Sequence, residues 1–195
     1  MTYPWTLCQK MGDPFTKDRP KKLGTPAHCH SLKARQVQLS AEIDAIHWQE
    51  FDTAYNAPES VPLDLKLLMF GDQKQALKAS HHLWCGLCHQ HAYMSSAAEP
   101  AFPFLMLALR ESGDLVKVEV LDILLGFVLC QQADVEFTQR ILDAIAEQRS
   151  EIETLKESSN EDVAGFAESV CEALNETRAD QGVGGQPATP PRVGE

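Results

Sequence analysis

Between Asp44 and Cys130 the apolar residues fall in short blocks at helical spacing, and the turns between blocks leave no room for a strand. Amphipathic helices with nothing else to pack on must bury their stripes against one another. The pattern therefore restricts the chain to an all-α stack.

The blocks can be read in order. Ser40 is a candidate N-cap for a helix whose stripe is Ile43, Ile46, Trp48, Phe51 and Tyr55, ended by Asn56-Ala57-Pro58. Ser60 and Pro62 open the next helix, which carries Leu63, Leu67, Leu68 and Phe70 up to Gly71. Asp72 caps a longer one bearing Leu77, His81, Trp84, Leu87, Cys88 and His91. Helix over Met94 to Arg110 is expected to be interrupted by Pro100 and Pro103, since a proline inside a helix removes a backbone bond. Ser112-Gly113 closes it, and Asp114 caps the following one. Leu115 to Cys130 is apolar on most faces, broken mainly by Lys117, Glu119 and Asp122, so that helix should lie between neighbours. Residues 135–157 read as the longest helix, with Ile141, Ile145, Ile152 and Leu155 inward. After Ser158-Ser159-Asn160, Val163, Phe166, Ala167, Val170 and Leu174 line a last helix.

Long and short helices alternate across residues 44–157. That is the pattern of antiparallel helix pairs stacked into a short right-handed solenoid. Residues 1–33 form an extended basic arm broken by Pro4, Pro14, Pro20 and Pro26. Residues 34–179 form the helical repeat domain, and the Gly/Pro-rich residues 180–195 read as a disordered tail.

The chain carries a formal net charge of -11, unevenly spread. Residues 1–39 hold Lys10, Lys17, Arg19, Lys21, Lys22, Lys33 and Arg35 against Asp13 and Asp18, and the arm is expected to fold back on the acidic C-terminal part. Residues 111–180 hold seventeen Asp and Glu against five Lys and Arg. A face of that sign repels nucleic acid and attracts basic proteins, or else serves only solubility. No apolar run approaches the length of a membrane span, and Met1-Thr2-Tyr3-Pro4-Trp5 lacks the basic and apolar regions of a secretory leader. The expected setting is the cytoplasm, with the six cysteines mostly reduced and Cys130 and Cys171 acting as small core residues.

One stretch has a family likeness. His47-Trp48-Gln49-Glu50-Phe51, Ala54-Tyr55-Asn56-Ala57, Val61-Pro62, Leu83-Trp84, Cys88-His89-Gln90, Tyr93 and Ala101-Phe102-Pro103-Phe104-Leu105 together resemble a group of bacterial HEAT-like repeat proteins, over residues 47–130. The sequence departs from that group at His91, where the family has a glycine that ends the helix in a tight turn. The resemblance implies a binding scaffold. It also implies kinship with small immunity-type proteins that neutralise a cognate toxin.

Motifs for chemistry are few. Cys85-Gly86-Leu87-Cys88-His89 matches the haem-attachment pattern C-x-x-C-H, a chemistry of exported proteins. The same cluster with His81, and with His28-Cys29-His30 from the arm, has the donor types of a zinc site. The alternative is a core cysteine with histidines capping a helix end. A thiol redox site would need a βαβ context that the pattern lacks. No nucleophile elbow or phosphate-cradling glycine loop occurs. The expectation is therefore a non-enzymatic protein without cofactor or metal, binding a protein partner and neither nucleic acid nor membrane. Its candidate binding residues are Glu136, Asp143, Glu147, Glu151, Glu161, Glu168 and Glu172, which meet a toxin's basic surface. Two alternatives stand beside it: a small metal or haem protein using Cys85, Cys88 and His89, and a structural adaptor.

Overall fold

The computed structural model describes residues 26–91, 93–130 and 136–183. The described residues are helical, with no strand among them. The chain divides into two compact units, residues 1–35 and 36–195. Of the first, only the opening of helix α1 (Pro26–Asp44) is described. The expected contact between the basic arm and the acidic part lies outside the described residues, as do residues 184–195 of the tail.

The second unit holds the rest. Helices α2 (Val61–Phe70), α3 (Gln73–Leu87), α4 (Ala98–Glu111), α5 (Asp114–Leu129), α6 (Glu136–Glu147), α7 (Arg149–Leu155) and α8 (Glu161–Val183) follow in order. Helix α5 is the centre. It packs on α3, α4, α6 and α8, and on the 3-10 turn His89–His91. Its residues Val120, Leu121, Ile123, Leu124 and Phe127 are fully buried, as expected of a helix apolar on most faces. Around it α2 packs on α3 and on α4, α4 on α6, and α7 on α8.

Local chemistry fixes several boundaries. Asp72 caps α3 with a complete capping box. Its carboxylate accepts from the Gln75 backbone N–H, and the Gln75 side chain accepts from the Asp72 N–H, both at 2.9 Å. Asp72→Ala is expected to cost about 1 kcal/mol, readable as a lower denaturant midpoint. Ser60 stands at the N-cap position of α2 but gives no side-chain cap; its hydroxyl donates to Ala57 O at 3.0 Å. Pro100 falls in the first turn of α4, where backbone N–H groups have no helical partner, and the helix runs on through Pro103.

Further expectations need correction, among them that α3 carries Cys88 and His91, since it ends at Leu87 and His91 falls in the 3-10 turn beyond it. Helix does not extend from Ser40 through Tyr55: Ser40 lies inside α1, which starts at Pro26 and ends at Asp44. Beyond it the chain turns, because the buried Trp48 indole donates back to Ile43 O at 2.9 Å and Asn56 takes a left-handed φ of 52°. That irregular segment is tied to the body instead, with Ala54 N donating to Gly86 O at 2.9 Å and Asp52 N to Ser96 Oγ at 2.8 Å. Residues 135–157 are not one helix, since Gln148 (φ -88°, ψ 4°) separates α6 from α7, and α8 is longer than either. Residues 94–97 precede α4 rather than belonging to it. Asp114 is the first residue of α5, and the cap position is Gly113.

Candidate functional site

The predicted acidic residues lie on α6, α7 and α8, all exposed except the half-buried Glu151. They are not equivalent. Arg110 of α4 grips Glu151 with Nε at 2.8 Å and Nη2 at 2.7 Å, and its Nη2 also donates to Gln148 at 2.9 Å. Arg140 of α6 grips Glu99 of α4 with Nε at 2.6 Å and Nη2 at 2.9 Å, and holds Glu136 through Nη1 at 2.7 Å. The hydrogen bond from Arg140 holds the Glu99 carboxyl below the usual range. Bidentate arginine pairs are geometrically specific, so these two clamp α4 to α6 and α7. Lys156 stands 3.9 Å from Glu168, and Asp143 accepts from Gln139 Nε2 at 3.0 Å. Glu147, Glu161 and Glu172 have no cationic partner among the described residues. Sequence reasoning grouped Glu136 and Glu151 with these. Arg110 is 41 positions from Glu151, a separation that no helical spacing rule reveals.

The thiol–imidazole cluster comes apart. Cys88 is the C-cap of α3 (φ -142°, ψ 48°), fully buried, and its thiol donates to Trp84 O at 3.4 Å. Burial pushes that thiol well above the ordinary cysteine range, and pushes Cys130 up to about 11. Cys85 is half-buried on another side, 3.7 Å from His81 Nε2. His89 Nδ1 is engaged by the Tyr55 hydroxyl at 3.0 Å. Cys85, Cys88 and His89 therefore do not converge, and no three His, Cys, Asp or Glu residues gather as metal ligands among the described residues. His28-Cys29-His30 has no described side chains. Cys85, Cys88, Cys130 and Cys171 carry free thiols, and the last two are buried, as core residues should be.

Sequence reading missed a cleft of about 480 Å3 between the 53–64 segment and α3. Tyr55, Asp64, His81, His82 and Cys85 line it. Asp64 is buried with His82 Nδ1 3.2 Å from its carboxylate; burial raises its pKa, against the His82 hydrogen bond. Burial also raises the Cys85 thiol, against a hydrogen bond from Tyr55. The polar groups of this cleft are tied to one another. The hint in the sequence was the spacing of His81, Cys85, Cys88 and His89, of which only His81 and Cys85 line the cleft.

No protein family, curated protein or solved structure matches this chain. Among the described residues, no helix is long and apolar enough to cross a membrane.

Proposed function

We propose that the chain is a non-enzymatic, cytoplasmic protein-binding scaffold: an immunity-type inhibitor that neutralises a cognate bacterial toxin by stoichiometric contact through its acidic outer face. The architecture in this reading is a short right-handed solenoid of three HEAT-like hairpins, α2/α3, α4/α5 and α6–α7/α8. The order of packing supports it. Helix α2 packs on α4 and α4 on α6, while α3 packs on α5 and α5 on α8, the succession that stacked hairpins would give. The observation that carries the functional part is the group of exposed carboxylates, Glu147, Glu161 and Glu172, that no arginine or lysine neutralises among the described residues. Unneutralised like charges repel along a helix, and a basic partner relieves that cost while steering association. Asp143 and Glu168, each with one weak or neutral contact, join this group. Glu136 and Glu151 are already occupied by arginine.

The test is growth protection. Co-expression with the toxic product of an adjacent reading frame should restore growth. A Glu147→Lys/Glu161→Lys/Glu172→Lys variant should lose protection, with its circular dichroism unchanged and its association rate down about tenfold or more at low salt. Full protection by the variant would contradict the reading. Glu151→Lys is unsuitable here, because it would set a lysine against Arg110 and disturb the clamp itself.

A further inference from the structure

The turn that closes α3 sets one ring nitrogen between two neighbours that no single protonation state satisfies together. His91 takes a left-handed φ of 57°, a conformation uncommon outside glycine and asparagine, and its ring lies over Gly126 of α5. Its Nε2 serves two neighbours. Trp84 Nε1 donates to it at 3.3 Å, and Asp122 Oδ1 stands 3.5 Å away from the same atom. An indole N–H can only donate, so in this arrangement Nε2 carries no proton and the ring is neutral with its hydrogen on Nδ1. A bare ring nitrogen next to a carboxylate is repelled by it. A protonated Nε2 would instead donate to Asp122 and could no longer accept from Trp84.

We propose that His91 is a proton-operated switch at the junction of α3 and α5, in which its second proton moves Nε2 from the Trp84 indole to the Asp122 carboxylate. Proton balance is simple: one proton from solvent binds Nε2, the Trp84 N–H bond to His91 ends, and an N–H to Asp122 bond replaces it. His91 and Asp122 are 28% and 32% exposed, so the proton arrives from solvent without unfolding.

The neighbouring charges are these. On α5, Glu119 lies one turn before Asp122, bonded to the Ser80 hydroxyl at 3.1 Å, and Cys130 ends the helix. From α3 come Cys88, packed against the same Gly126, and His81, whose ring stacks on Trp84 with centroids 6.3 Å apart. Cys85 adjoins His81, and His89 shares the turn with His91. Asp122 is the one among them placed to receive the new N–H.

Nitrogen-15 NMR of the intact chain tests the switch. The Trp84 indole resonance, identified by its loss in Trp84→Phe, should move as the pH is lowered through the neutral and mildly acidic range. Its midpoint should coincide with that of the His91 Cε1–H. His91→Asn, which tolerates the left-handed backbone, should abolish the movement. Asp122→Asn should shift the midpoint to lower pH, because the protonated ring loses its carboxylate. A Trp84 resonance that stays fixed in the wild type, or that still moves in His91→Asn, overturns the proposal. An unchanged midpoint in Asp122→Asn overturns it too, and that variant decides the matter if His91→Asn does not fold.

Discussion

Phe127→Ala is expected to destabilise the protein by about 3–5 kcal/mol, the range for deleting a fully buried aromatic ring. Phe127 is 0% exposed on α5, the helix that packs on α3, α4, α6 and α8. Because so many elements bear on it, none can move in to fill the void without leaving another contact, which places the cost toward the upper end of that range. Domains of this kind are stable by only about 5–15 kcal/mol, so one substitution would remove a large part of the total. Urea unfolding should show a lower midpoint at unchanged slope. A loss under about 1 kcal/mol would mean that the site is not closed on all sides.

The adjacent residue is expected to fail in the opposite way. In a helix interior Gly→Ala gains about 1 kcal/mol from propensity, so a solvent-facing Gly126→Ala would stabilise. Gly126 is not solvent-facing. A β-carbon there would stand 2.7 Å from Cys88 Sγ, 2.8 Å from His91 Cδ2 and 3.3 Å from Cys88 Cβ. Neither neighbour yields easily. Cys88 is a short side chain held to Trp84 O, and His91 is fixed in a left-handed turn. Overpacking should win, with a net loss of about 1–3 kcal/mol. Adding Cys88→Ala removes the nearest atom, so the double variant should lose less than the sum of the two single losses. A Gly126→Ala protein more stable than the wild type would show that α5 does not approach the turn this closely.

These two residues also show what can be read from the chain alone. The burial of α5 was legible, because Val116, Val120, Ile123 and Phe127 leave little of its surface for water. The Asp72 cap was legible because a capping box is local chemistry, and the core faces of α6, α7 and α8 followed from period alone. Residues 45–60 misled because Trp48, Phe51 and Tyr55 continue a helical spacing, while the indole bond to Ile43 O, a tertiary preference, ends the helix. The arginine clamps were invisible, since each joins residues 41 positions apart. The separation of Cys85 from Cys88 was also invisible. It depends on Cys88 leaving the helical backbone at the end of α3, which turns its thiol inward while Cys85 keeps to the cleft. His91 could be flagged from the missing glycine, but the choice its ring faces between Trp84 and Asp122 depends on α5 being alongside.

The packing of the helices depends on α5 being the one that the others enclose. Residue-resolved hydrogen–deuterium exchange tests this most directly. Amides from Val120 to Phe127 should exchange slowest, opening only with global unfolding, while those of residues 36–42 in the exposed part of α1 exchange early. Exchange across Val120 to Phe127 as fast as in α1 would contradict it.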